Sequence, residues 1–79
     1  MQKTEKEFTC ETIERLGVLS VKGCISTEVN LVSINGGEPK VDVRHWYINP
    51  EGGRSMRKGV VLSIDDAKAL AQVLINSKL

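Results

Sequence analysis

The feature that most limits what this chain can become is a change of period at Ser63. Across residues 24–34 and 40–46 apolar and polar side chains alternate, whereas from Ala67 onward the apolar positions recur every three or four residues. Period two is the pleat of a half-buried strand, and a spacing of three or four is one stripe of a helix. A sheet followed by a terminal helix is the economical solution. With 79 residues, the chain is read as one domain over 1–79 with its core at about 8–77.

The strands can be placed one by one. Residues 8–21 read FTCETIERLGVLSV, rich in β-branched and apolar residues, and Gly17 interrupts them as a bend or bulge would. Lys22-Gly23 supplies a turn. The next run, CISTEVNLVSI, sets Ile25, Val29 and Leu31 on one face and Ser26, Glu28 and Asn30 on the other. Asn35-Gly36-Gly37 is a turn signal, and Pro39 cannot donate to a ladder, so a third strand is expected from about Lys40. There Val41 and Val43 point one way and Asp42, Arg44 and Trp46 the other, which puts Trp46 on a polar side and Tyr47 opposite. Asn49-Pro50-Glu51-Gly52-Gly53 closes a loop, and Lys58 to Leu62 reads as the fourth strand.

Ser63 is a good N-cap, and Asp65 and Asp66 stand in the first turn, where the helix dipole favours negative charge. Ala67, Leu70, Ala71, Leu74 and Ser77 form the stripe, while Val73 and Ile75 widen the apolar surface beyond it. One sheet face absorbs one stripe. The surplus, with Leu70, Val73 and Leu74 at its centre, is expected to meet a second copy of the chain, because so short a chain buries little surface alone. The fold class is therefore α+β: a four-stranded curved antiparallel sheet, then one C-terminal helix, as a homodimer.

Composition narrows the function. A hydrophobic fraction of 41% with 27% charged residues suits a globular domain and not a disordered one. No apolar run of about eighteen residues spans a bilayer, and MQKTEKEF lacks the apolar core of a signal peptide, so no membrane association and a cytoplasmic location are expected. Cys10 and Cys24 have no CxxC spacing, and His45 is the only histidine without ligands at metal spacing, so neither metal nor cofactor is expected. No nucleophile–base pair can be assembled from these groups, and PEGGR lacks the Gly-Lys-Ser/Thr ending of a phosphate loop. An enzyme with a small-molecule substrate is not indicated.

Charge adds a location. The net charge is only +1, yet residues 40–59 carry Lys40, Arg44, Arg54, Arg57 and Lys58 against Asp42 and Glu51, an excess of three. That segment also holds Trp46 and Tyr47. Cations beside flat rings suit a single nucleic-acid strand, since every nucleotide has a phosphate and every base a π-face.

The string PKVDVRHWYINPEGGRSMRKGVVLSIDDAKALAQVL, residues 39 to 74, resembles the core of the transcriptional coactivator family called positive cofactor four, especially its short bacterial members. LGVLSVKG followed by TEVNLVSINGGEPK is similar to the first two strands of that bacterial branch. The ordered set Asp42, Arg44, Trp46, Lys58, Gly59 and Ser63 carries the resemblance, which covers roughly residues 8 to 75. It implies a homodimer whose curved sheets form grooves for single-stranded DNA, with RNA as an alternative strand, in the service of transcription regulation, replication or repair. It further implies that Arg44, Arg57 and Lys58 belong to the binding face, that Trp46 or Tyr47 is its strand-end aromatic, and that Lys22 is the cation of the first turn. Cys24 and Ile34 stand where bacterial relatives often carry aromatics, which shifts the weight onto Trp46 and Tyr47. The candidate contacts are thus Lys22, Lys40, Arg44, Trp46, Tyr47, Arg54, Arg57 and Lys58. Bland readings stand beside them: Trp46 as rim packing, Tyr47 as core, Asp42 as the ion-pair partner that orients Arg44, Arg54 as a solvated loop cation. The alternative function is a protein-interaction domain that keeps the fold without strong strand binding.

Overall fold

The computed structural model describes residues 9–79. Its elements follow the expected order: β1 (Cys10–Lys22), β2 (Ile25–Ile34), β3 (Pro39–Ile48), β4 (Arg54–Leu62) and α1 (Ile64–Asn76). The strands form one antiparallel sheet in the order β1-β2-β3-β4. The expected start of the first strand at Phe8 lies outside the described residues.

Turn chemistry sets the registers. Asn35 and Gly36 both have positive φ, 52° and 75°, and Gly37 N–H donates to Ile34 C=O at 2.9 Å. This is the primed hairpin turn that Asn-Gly favours, because its twist matches that of paired strands. The Asn35 side chain then accepts from Thr9 N–H at 2.9 Å and ties the start of β1 to the turn.

β1 departs from expectation. One interruption at Gly17 was anticipated, but the register against β2 slips three times, between Thr12 and Glu14, Arg15 and Gly17, and Val18 and Ser20. Ile13, Leu16 and Leu19 are the residues skipped. Their spacing of three is wrong for a plain strand, and each slip resets the alternation, so that Leu16 and Leu19 join Val29, Leu31, Val41 and Val43 around one apolar hollow. A bulge per three residues converts a three-residue pattern into one face of a sheet.

β4 begins at Arg54, four residues before the expected Lys58. A slip between Arg44 and Trp46 allows Met56, Ser55 and Arg54 to pair with Trp46, Tyr47 and Ile48. Gly59 sits beside this slip, opposite Arg44. A β-carbon there would collide with Arg44 Cβ and lie 2.7 Å from the Val43 carbonyl oxygen and 2.8 Å from Arg44 Cα. Only glycine lets the two backbones approach so closely.

The helix is capped as expected. Ser63 is extended (φ −63°, ψ 160°), and its hydroxyl accepts from Asp66 N–H at 3.0 Å. Yet no residue of α1 is buried, and between it and the apolar face lies an open hollow of about 700 Å³ bordered by Leu70 and Leu74. Leu74 is 50% exposed. The described chain measures 55 × 34 × 18 Å, and its thinnest dimension is taken up by one sheet and one helix. No helix among the described residues is long and apolar enough to cross a membrane.

Candidate nucleic-acid interface

Even-numbered residues of β2 and β3 share the polar face of the sheet, and register places Thr12, Arg15, Arg54 and Met56 with them. No described element covers this face, yet it holds the most deeply buried side chains of the chain: Glu28 is 2% exposed and Asp42 1%. What covers Glu28 is charge of the opposite sign. Arg54 from β4 grips it with two hydrogen bonds, Nη2 to Oε1 at 2.7 Å and Nη1 to Oε2 at 3.2 Å, and Ser26 Oγ donates to Oε2 at 2.7 Å. Arg15 from β1 approaches Oε1 to 3.5 Å. These groups hold the Glu28 carboxyl below the usual carboxylate range, chiefly through the Arg54 hydrogen bonds and against the opposing push of burial. The same bonds raise the Arg54 guanidinium above its ordinary value.

Arg44 is a brace. Its Nε donates to both Asp42 oxygens, at 3.1 and 2.9 Å, and Nη2 donates to Oδ1 at 2.7 Å. Nη1 donates to the Arg57 carbonyl at 2.8 Å, which satisfies a backbone group at the β4 slip. The bond to Asp42 raises the Arg44 value. With three of its five N–H groups committed, Arg44 positions the two strands first and meets a ligand second. Asp42 orients it, as expected.

Trp46 lies on the polar face, as its parity requires, but its ring is not bare. The Arg54 guanidinium carbon stands 4.6 Å from the indole centroid, within cation–π range. Beside this pair opens a hollow of about 260 Å³ lined by Thr12, Arg15, Asn30, Trp46 and Arg54. The expected loop cation, Arg54, is therefore the centre of the site.

The β3–β4 hairpin does not bring all its cations to one place. Tyr47 faces the opposite side, under Arg57, whose guanidinium carbon is 5.1 Å from the phenol centroid. Lys58 lines a shallow depression on that side with Thr27 and His45, and the hydroxyl of Thr27 shares a 2.8 Å hydrogen bond with His45 Nδ1. Lys22 ends β1 opposite Ile25, in the same row as Tyr47. Lys40 is on the polar face but six positions from Trp46 along β3, roughly 20 Å at strand rise. So Arg44, Trp46 and Arg54 cluster, Lys40 extends the same face, and Lys22, Tyr47, Arg57 and Lys58 form a second basic group on the other.

Arg15, Glu28 and Asn30 belong to the site and were not among the candidates. The alternation of β2 had assigned Glu28 and Asn30 to the polar side. Arg15 was out of reach, because the slip at Ile13 changes the face of the residues that follow it in β1.

No protein-family model matches the chain, and neither a curated protein nor a solved structure matches it.

Proposed function

We propose that the protein binds single-stranded DNA, with little sequence preference along most of the strand, across the polar face of its sheet. The observation that carries this reading is the Trp46–Arg54 pair beside an open hollow on a face that no described element covers. Arg15, Lys40, Arg44 and Arg54 outnumber Glu28 and Asp42 there by two, and Lys40 to Trp46 is the length of several nucleotides. Bulges along β1 bend that strand and increase its twist. A guanidinium laid on an indole is itself a flat cationic platform, suited to a base on its outer side and to a phosphate at its edge. Service in transcription, replication or repair follows from the resemblance, and RNA is the competing strand.

The same reading includes a homodimer. Leu16, Leu19, Leu70 and Leu74 border an apolar hollow that a monomer would leave wet, and Val73 is 63% exposed alongside. A surface of that kind marks an association site. A second copy of α1 is the natural filler.

One titration tests both parts. Addition of a thymidine 20-mer at several salt concentrations should give saturable binding with one strand per two chains. With Arg15, Lys40 and Arg54 each meeting a phosphate on each of two chains, the two arginines through N–H groups that Glu28 does not engage, log K against log salt should fall with a slope of about −4. Absence of binding, or affinity indifferent to salt, overturns the reading.

A further inference from the structure

Two buried polar atoms of the described chain have no hydrogen-bond partner: Asn30 Oδ1 and Trp46 Nε1. Both belong to residues that line the 260 Å³ hollow. Asn30 is 3% exposed, so its amide is held in place by the sheet around it. Buried polar groups are nearly always paired, because an unpaired one costs the hydrogen bond it gave up in water. Two orphans at one cavity leave a donor and an acceptor for water or a ligand to satisfy.

Their chemistry limits that ligand. The indole nitrogen only donates, the guanidinium groups of Arg15 and Arg54 only donate, and the Asn30 amide brings one acceptor and a donor pair. Apart from the Thr12 hydroxyl, the hollow therefore offers a single acceptor among several donors. The complementary edge has one N–H set between acceptors. Thymine and uracil present that edge, two carbonyls flanking N3–H. Guanine fits worst, since its N1–H and amino group stand side by side and need two adjacent acceptors.

We propose that this hollow is a base-reading pocket for the imide edge of thymine or uracil. Trp46 Nε1–H donates to one carbonyl, Asn30 Oδ1 accepts from N3–H, and the Asn30 amide nitrogen donates to the other carbonyl. The inference rests on the strand-binding reading and adds to it one position at which the protein discriminates. Trp46 then acts through its edge, since Arg54 occupies its face.

Trp46 is the only tryptophan, so its indole ¹⁵N–¹H resonance reports on this pocket alone. Oligothymidine should move that resonance, and an oligomer of the same length built of abasic sugar-phosphates should not, though both bind. Oligothymidine should bind about tenfold more tightly than a strand of the same length that lacks thymine and guanine, a difference within the range of one well-made base contact. Asn30→Leu, of similar size and without the amide, should erase that preference and keep the salt slope. Equal affinities with an unmoved indole resonance overturn the pocket and leave strand binding standing. Failure of every oligomer to bind overturns both. Because the resonance experiment uses the unaltered protein, a variant that misfolds does not decide the matter.

Discussion

The two faces of the sheet reverse the usual relation between polarity and burial. On the apolar face Leu16, Leu19 and Leu74 stay about half or more exposed, and the helix laid over them buries none of its own residues. On the polar face Glu28, Asn30 and Asp42 fall to 3% exposure or less, with Arg54 and Arg15 from other strands against Glu28 and Arg44 of the same strand on Asp42. The carboxylates of the polar face are covered within one chain, whereas the leucines of the apolar face are not. Long side chains can close over a carboxylate by themselves, because Arg carries its own apolar stem. Leucines can be kept from water only by something laid on top of them.

The change expected to do most harm strikes the seam that both faces share. Gly59→Ala places a methyl group against the Arg44 backbone, which cannot swing aside as a side chain would. The strands must part, at a cost of about 3 kcal/mol. For a domain of this size that corresponds to a fall in Tm of roughly 15 °C. Calorimetry checks it. A variant with unchanged Tm would show that β3 and β4 are not held so close.

A smaller effect should be confined to one face. Glu28→Gln removes the charge at the centre of the polar web and weakens its bonds to Arg54, Ser26 and Arg15, at a cost of about 2 kcal/mol at neutral pH. The sign of the pH dependence follows from the lowered Glu28 value. Its stabilisation is fully present above the ordinary carboxylate value of 4.5 and is lost as pH falls through the lower folded value. Urea midpoints of the two proteins should thus differ at pH 7 and converge in acid. The dimerisation proposed for the apolar face should not change. A gap that persists at low pH would assign the loss to packing instead of charge.

These faces also show what the sequence can convey. The alternation in β2 and β3 reads correctly, and it sorts Ser26, Glu28, Asn30, Asp42, Arg44 and Trp46 onto one side. Burial does not follow from alternation. It depends on what lies over each side chain, and here arginine side chains, with no further element, close over Glu28 and Asp42. The positions of Arg15 and Arg54 were less legible for a local reason. Each lies near a register slip, and a slip of one residue reverses the face of all that follow. Ser63 was readable because an N-cap needs only its own turn.

That cap provides the mildest test, and it falls on the incomplete face. Ser63 Oγ satisfies Asp66 N–H at the start of α1, the only described element laid over the apolar side. Ser63→Ala leaves that donor to water and should cost about 1 kcal/mol. Ser63→Asn, which can accept the same bond, should recover most of it. Asp65 and Asp66 remain in the first turn and continue to favour the helix dipole, which keeps the loss small. If the faces are as separate as their packing implies, the urea midpoint should fall in the Ala variant while strand affinity, measured well below that midpoint, stays the same. A loss of affinity equal to the loss of stability would show that α1 supports the polar face through the sheet. The separation drawn between the two faces would then fail.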